Sequence, residues 1–582
     1  MYCVKRTLLV LIVFASALFA GDSVNIWSIG QKDSDFAEFA LPGYEAVDSY
    51  NDAFPNDVEF VIGRDESSSW PAVHPGERDS WAGSRKHTFT IRFNLKEKPF
   101  PLYALNISLT SAQNQYPPVI TVQVNGEQRN RHTIPGPGDT ALRNPQAGGR
   151  QNHTINFVKD LLRTGDNEIK ITTQGSWLIY DAVELSGYTQ VPRVTELEAS
   201  SGNAIYRKDE GESRLINLKF IGGLVLKPLD ITLEYAGHKF IRRLTPGFEA
   251  MESAQVYLPA GSDEAGEVAI SLSGSEAIST TLDISPVRKW EVYLIHQTHL
   301  DIGYTDKQEN VLREQVSHLR KALDYIDASK DYPAGARFKW HPEGMWAVEE
   351  FMRTESAENV QRLIEAARAG DIHIDALYAQ AMTGAYSEEE LFELVGAAVK
   401  FGAEFGVNVD SAIQSDVPGY TWGLAEVLGS CGVKYINVGP NSGHRVGHTF
   451  DWADKPFYWL SPSGNYKVLF WMAGKGYSWF HGNPVGHSLL SDEKKIFDYL
   501  KELESGAYPY DMVNVRYNIG ADNGPPNPAL PEAVKQWNEK YVWPRLIISG
   551  NSDMMREFEQ RYGDTLPVER GDFTPYWEDG MA

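Results

Sequence analysis

The sequence predicts a multidomain chain that runs from an N-terminal β-sandwich through a small β domain to an α/β barrel. Three observations carry this expectation. Apolar residues alternate with polar ones in Phe89, Ile91, Phe93, Leu95, then Leu105, Ile107, Leu109, then Ile120, Val122, Val124, the period of half-buried strands. Short strand-like runs separated by turn residues continue to about residue 287. From Trp290 strands alternate with amphipathic helices, which argues for a parallel α/β sheet or barrel with its chemistry at the carboxyl ends of the strands. The length of 582 residues is enough for several cores.

The chain opens on a targeting segment. Lys5 and Arg6 precede an apolar stretch at 8–20, followed by the polar Gly21, Asp22 and Ser23. This is the pattern of a cleaved secretory signal peptide, residues 1–20, with the mature chain starting between residues 18 and 22. The stretch is shorter than the roughly 20 apolar residues that span a bilayer, so no membrane span is expected. The protein is therefore expected to be secreted or periplasmic. Of its two cysteines, Cys3 leaves with the signal and Cys431 has no partner, so no disulfide framework is expected. With 54 Lys and Arg against 78 Asp and Glu, the net charge of −24 repels polyanions and argues against nucleic acid as a partner. An aromatic fraction of 12% suits both core packing and stacking on sugar rings. Composition gives no oligomeric state.

The sandwich is placed at 21–188. Asn125 and Gly126 signal a hairpin turn, and Gly165, Asp166 and Asn167 signal another before Ile169 and Ile171. The strings VQVNGE, TALRNPQAGGR, GDNEIKIT and LIYDAVEL resemble the carbohydrate-binding, jelly-roll-like domain of rhamnogalacturonan lyases in polysaccharide lyase family 4. That resemblance implies a fold used both for sugar binding and as plain structure. A smaller, Ig-like β domain is placed at 189–288, with strands around ITLEY at Ile231, VAISLSG at Val268 and STTLDISPV at Ser279. No chemistry is evident in it.

The α/β region is placed at 289–582. Its first helix repeats Leu312, Val316, Leu319, Leu323 and Ile326, and is entered through an expected capping box of Asp306 and Glu309. A second box, Ser387 with Glu390, opens the helix carrying Leu391, Leu394, Val395 and Val399. The first strand ends in His299, Leu300, Asp301. Residues two apart on an extended chain face one way, so an imidazole and a carboxylate can converge on a cation such as zinc. His373 and Asp375 have the same spacing, and by spacing alone each pair also reads as a polar strand end.

Four strings in order separate them: HLDIGYT, WHPEGMW from Trp340, QSDVPGYTWGLAEVL from Gln414, and IGADNGPP from Ile519. Together they resemble glycoside hydrolase family 38, the retaining α-mannosidases, whose barrel is also related to that of polysaccharide deacetylases. The resemblance implies that His299 and Asp301 are zinc ligands and that the Tyr304 ring stacks on sugar. It makes Asp416 both ligand and nucleophile, and aligns Asp522 with the acid that protonates the leaving group. A retaining glycosidase needs such a pair, one carboxylate to attack the anomeric carbon and one protonated. The family's Gly-Asp-Asp string is here Gly520, Ala521, Asp522, and Asp522 also reads as a turn aspartate before Gly524 and Pro525.

Trp340, Trp422 and Tyr477 are further candidate sugar contacts, while Glu343 reads as a carboxylate at a helix start. The family takes a fourth zinc ligand, a histidine, from beyond the barrel. Here the chain reaches GDFTPYWEDGMA, so a fragment of a longer protein is expected, with His341 as the nearest internal substitute. The leading expectation is an exported zinc-dependent glycosidase acting on terminal α-linked mannose, or a related sugar, in an oligosaccharide or polysaccharide. A metal-dependent polysaccharide deacetylase and a noncatalytic carbohydrate-binding fragment are the alternatives.

Overall fold

The structure is a computed structural model and describes residues 23–247, 249–273, 278–441 and 451–573. The expected signal at 1–20 and the final string from Thr574 onward lie outside the described residues. The chain divides into two compact units. The first runs through residue 202 and takes in 215–258 and 265–285, whereas the second comprises 203–214, 259–264 and the chain from 286 on.

In the first unit the alternating runs become two sheets. One has the order Ser23–Gly30, Leu178–Tyr188, Leu102–Ala112, Gln151–Val158, with Val73–His74 also on Leu178–Tyr188. The other has the order Val58–Val61, His87–Leu95, Gly165–Gln174, Val119–Val124, Glu127–His132. Their inward residues, among them Phe89, Ile91, Leu105, Ile107, Ile120, Val122 and Ile171, form one buried core. Truncating one of these to alanine costs on the order of 2–5 kcal/mol. Asn125 and Gly126 both have positive φ (48° and 104°). Val124 and Glu127 pair on either side of them, as a two-residue hairpin turn requires. A further antiparallel sheet follows in the order His238–Leu244, Leu229–Tyr235, Gly266–Leu272, Ser279–Ile284.

The second unit is the strand and helix alternation. Glu291–His296 lies between Met512–Tyr517 and Arg545–Ile548, parallel to both. Five of its six residues are buried, the signature of a strand covered on both faces. A second sheet has the order Ser411–Asp416, Tyr435–Pro440, Lys467–Met472, Phe457–Leu460, Val568–Glu569. Its pairings are parallel except for that between Phe457–Leu460 and Lys467–Met472. Isolated bridges Gln297–His341 and Trp340–Ile372 continue the layer beyond the three-stranded sheet.

The Ser387 capping box is present at the start of Glu388–Phe405. The Asp306 box is not. Lys307 is the N-cap of Gln308–Ser329, and the Asp306 carboxylate instead accepts from Lys307 N–H (2.7 Å) and the Asn310 amide (3.0 Å). Among the described residues no helix is long and apolar enough to cross a membrane.

Candidate active site

The parallel strands carry their chemistry out at their carboxyl ends. Glu291–His296 leads into His299, which is almost fully buried, and Ser411–Asp416 ends on Asp416. His299 Nε2 lies 3.6 Å from Asp416 Oδ2. Asp416 has φ +58°, a left-handed conformation that a non-glycine residue holds only when its surroundings dictate it. Its carbonyl accepts from Asn441 N–H at 2.9 Å, and its Oδ1 from the Asn441 amide at 2.7 Å. The next residue, Val417, precedes Pro418 and is biased to extended backbone, so the chain reversal falls on Asp416 itself.

The third carboxylate, Asp301, is partly buried and accepts a hydrogen bond from Thr305. Burial raises its pKa, His299 opposes that rise, and the charges of Asp522 and Asp416 add to it. Asp522 Oδ1 accepts from the Tyr477 hydroxyl at 3.1 Å, and His481 Nδ1 stands 3.9 Å away. The Tyr477 ring meets His299 edge-on, with centroids 4.8 Å apart. Burial, then the charges of Asp416 and Asp522, push the Tyr477 phenol up, so it stays protonated and a donor. One phenol thus stands in the fields of both candidate catalytic carboxylates, whose side chains are 23% and 24% exposed.

Asn523 ties the Asp522 segment to the His299 segment. Its N–H donates to His299 O (2.8 Å), its Oδ1 accepts from Asp301 N–H (3.0 Å), and its Nδ2 donates to Asp301 O and Thr305 Oγ1 (both 2.9 Å). With φ +60° it sits in the left-handed region that asparagine tolerates best after glycine. Glu343 occupies the layer beneath. It is fully buried, has φ +54°, and turns inward, away from the N-terminus of Met345–Thr354. The expected helix-start role is corrected accordingly: its oxygens meet His299 Nδ1, Leu300 N–H, Arg516 and Ser415. Burial lowers the His299 pKa, but its bonds to Asp416 and Glu343 outweigh this and push it up to about 10. Burial brings Arg516 down to about 10 against the pull of Glu343 and Asp375.

The remaining candidates lie as follows. Tyr304 is 89% exposed. Trp340 has no exposed surface and stacks edge-on against His296 at 4.8 Å, so its expected sugar contact is corrected to a core role. Trp422 opens the helix Trp422–Ser430 and donates its indole N–H to Leu460 O at 2.8 Å. His341 has both ring nitrogens engaged, Nδ1 with His296 O (2.9 Å) and Nε2 accepting from Asn551 N–H (2.9 Å), so it is a satisfied core histidine. His373 bonds Ser411 Oγ at 2.8 Å, while Asp375 is fully buried and raised by burial first and Glu343's charge second. Arg516 and Asn523 carried no assigned role in the sequence and Glu343 only a helix-start one, although Glu343 stands inside WHPEGMW and Asn523 inside IGADNGPP.

The donor chemistry suits zinc: an imidazole whose Nδ1 is held by a carboxylate, with Nε2 facing a second carboxylate, is the usual outfit of a metal-binding histidine. Among the described residues, no group of three His, Cys, Asp or Glu stands as a metal cluster.

An α/β unit with a buried imidazole and partly exposed carboxylates at its strand ends has the equipment of an acid-base hydrolase. Residues 289–579 match the glycosyl hydrolases family 38 N-terminal domain, and the chain belongs to that family. Residues 25–185 match the CBM-like domain III of polysaccharide lyase family 4, so both sequence resemblances hold. Among curated proteins none matches. Of solved structures, the chain is similar to an alpha-mannosidase from Enterococcus faecalis V583, with 16% identity and TM-score 0.39 over 49% of this chain and 31% of that one. It is also similar to a family 38 protein from Enterococcus faecalis, with 14% identity and TM-score 0.36 over 49% of this chain and 29% of that one. A 4-alpha-glucanotransferase from Thermococcus litoralis follows at 12% identity and TM-score 0.32, over 50% of this chain and 43% of that one. The chain thus spans about a third of the length of the two Enterococcus faecalis proteins.

Proposed function

We propose that the protein is an exported, zinc-assisted retaining glycosidase that removes terminal α-linked mannose, or a closely related sugar, from an oligosaccharide or polysaccharide. The observation that carries this reading is the meeting of His299, Asp416, Tyr477 and Asp522 at the strand ends of a family 38 domain. In this reading the three-stranded parallel sheet and the mostly parallel second sheet are arcs of one α/β barrel of the glycoside hydrolase and deacetylase type. The N-terminal region binds carbohydrate, and export follows from Lys5, Arg6 and the apolar stretch at 8–20.

Asp416, pinned by Asn441, attacks the anomeric carbon. Asp522 delivers a proton to the leaving oxygen and then takes one from water, with the Tyr477 hydroxyl holding its other oxygen. His299, Asp301 and Asp416 would hold zinc, which when bound supplies Lewis-acid stabilisation and orients the sugar hydroxyls. Tyr304, open to solvent, offers a ring face to the sugar.

The test is the anomeric configuration of the first-formed product, followed by proton NMR on the full-length zinc-loaded protein. Retention of the α-anomer is expected. Inversion, or release of acetate from an acetylated substrate in place of sugar, would contradict the reading.

A further inference from the structure

The Glu343 side chain meets four partners in the site and has no part in the chemistry described above. Oε2 accepts from Leu300 N–H at 2.6 Å and faces His299 Nδ1 at 3.1 Å. Oε1 meets Arg516 Nη2 at 3.2 Å and the Ser415 hydroxyl. Glu343 and Arg516 both have no exposed surface. Arg516 reaches on to Gln297 Oε1 at 2.5 Å and Asn437 O at 3.1 Å, so its charge is fixed from several sides. The backbone is committed to the same end. Glu343 holds φ +54° ahead of Gly344, where a Cβ would come 2.6 Å from Tyr378 O. This is local strain that the surrounding contacts must offset.

A carboxylate only accepts hydrogen bonds, so a ring nitrogen bonded to one carries the proton. The other nitrogen of a neutral imidazole is then the free donor pair. We propose that Glu343 is a positioning residue that fixes the His299 ring through Nδ1, so that with zinc bound Nε2 is left as the electron-pair donor on the Asp416 side, and that Arg516 is its buried counter-charge. Through Ser415 the same carboxylate grips the residue next to Asp416, which couples the ends of two strands to one anchor. This rests on the reading of His299 and Asp416 as zinc-site residues. A purely structural ion pair is the competing explanation, because removing one partner of any buried pair is destabilising.

The double variant Glu343→Gln/Arg516→Gln separates the two. It removes both buried charges together and keeps a side-chain carbonyl within reach of His299 and an amide donor toward Gln297. Zinc affinity is measured by competition with a chelator, beside the thermal midpoint, on the full-length protein. A 10- to 100-fold weaker zinc affinity at a comparable midpoint is expected, the usual effect of losing a carboxylate behind a ligating histidine. Unchanged affinity would overturn the inference and leave the zinc reading standing, whereas wild-type protein that binds no zinc would overturn both.

Should the double variant not fold, the wild-type holoenzyme decides. With 15N-labelled histidine, the signal that disappears in His299→Asn is expected to show the proton on Nδ1. A proton on Nε2 would overturn the inference.

Discussion

If Asp522 delivers the proton, its removal should be felt in proportion to the substrate's need for one. Asp522→Ala is expected to slow substrates with poor leaving groups by roughly 10²–10⁴-fold, and activated aryl glycosides far less. Parallel kcat/KM measurements on the two substrate classes check this, and equal slowing would leave Asp522 as a turn residue. Under the proposed mechanism Asp416→Asn is expected to abolish turnover on both classes, because it would remove the attacker and a metal donor together. At this scale, how much could be read in advance differed by residue. His299, Asp301 and Asp416 stand in short strings whose spacing is local, and two of them do face each other at 3.6 Å. Glu343 and Arg516 are 173 residues apart and meet only in the folded interior, so no spacing announces them. Burial of a motif aromatic leaves no mark in the string either: an indole looks identical whether buried or presented, and Trp340 is buried.

The elements place these residues through close approaches of backbone. Gly439, in the strand Tyr435–Pro440, lies where a Cβ would come 2.7 Å from Tyr477 Cα and 2.8 Å from its N. Backbone cannot yield as a flexible side-chain tip can, so Gly439→Ala is expected to displace Tyr477 from Asp522 and His299. A drop in kcat of tenfold or more with a small change in thermal midpoint is expected, since a shift of about an ångström costs on the order of 10² in rate. Wild-type kcat in this variant would show that Tyr477 is not positioned by that strand. Strands and long helices were legible because burial imposes a period: Phe89, Ile91, Phe93 and Leu95 all point into one core. The Asp306 box failed because Asp306 turned to Asn310, a competition among polar side chains that a motif does not resolve. The sheet pairing was not legible either, since Glu291–His296 lies between strands more than 200 residues later in the chain.

For the whole molecule, the net charge of −24 means that repulsion among carboxylates grows as they ionise. Asp79 adds a site-specific term. Burial, with Glu77 and Asp139 nearby, pushes it up to about 6 despite hydrogen bonds from Gly76 N–H and the Ser176 hydroxyl. Its folded pKa lies above the unfolded value of 3.8, so its contribution to stability is fully present below that value and is lost as pH rises through about 6. The loss is worth roughly 3 kcal/mol. Urea midpoints at pH 4.5 and 7 are expected to fall more for wild type than for Asp79→Asn, and equal falls would show that Asp79 does not titrate this way.

The two matched segments, 25–185 and 289–579, join a carbohydrate-binding type of domain to a glycosidase domain on one chain. Under the proposed function the second is a working retaining enzyme. The most direct measurement is to trap its covalent intermediate with a fluorinated mannosyl fluoride, digest the full-length protein, and locate the added mass by peptide mass spectrometry. The account predicts the sugar on Asp416, at the end of Ser411–Asp416. Turnover with no adduct on that peptide, or an adduct on another carboxylate, would contradict it.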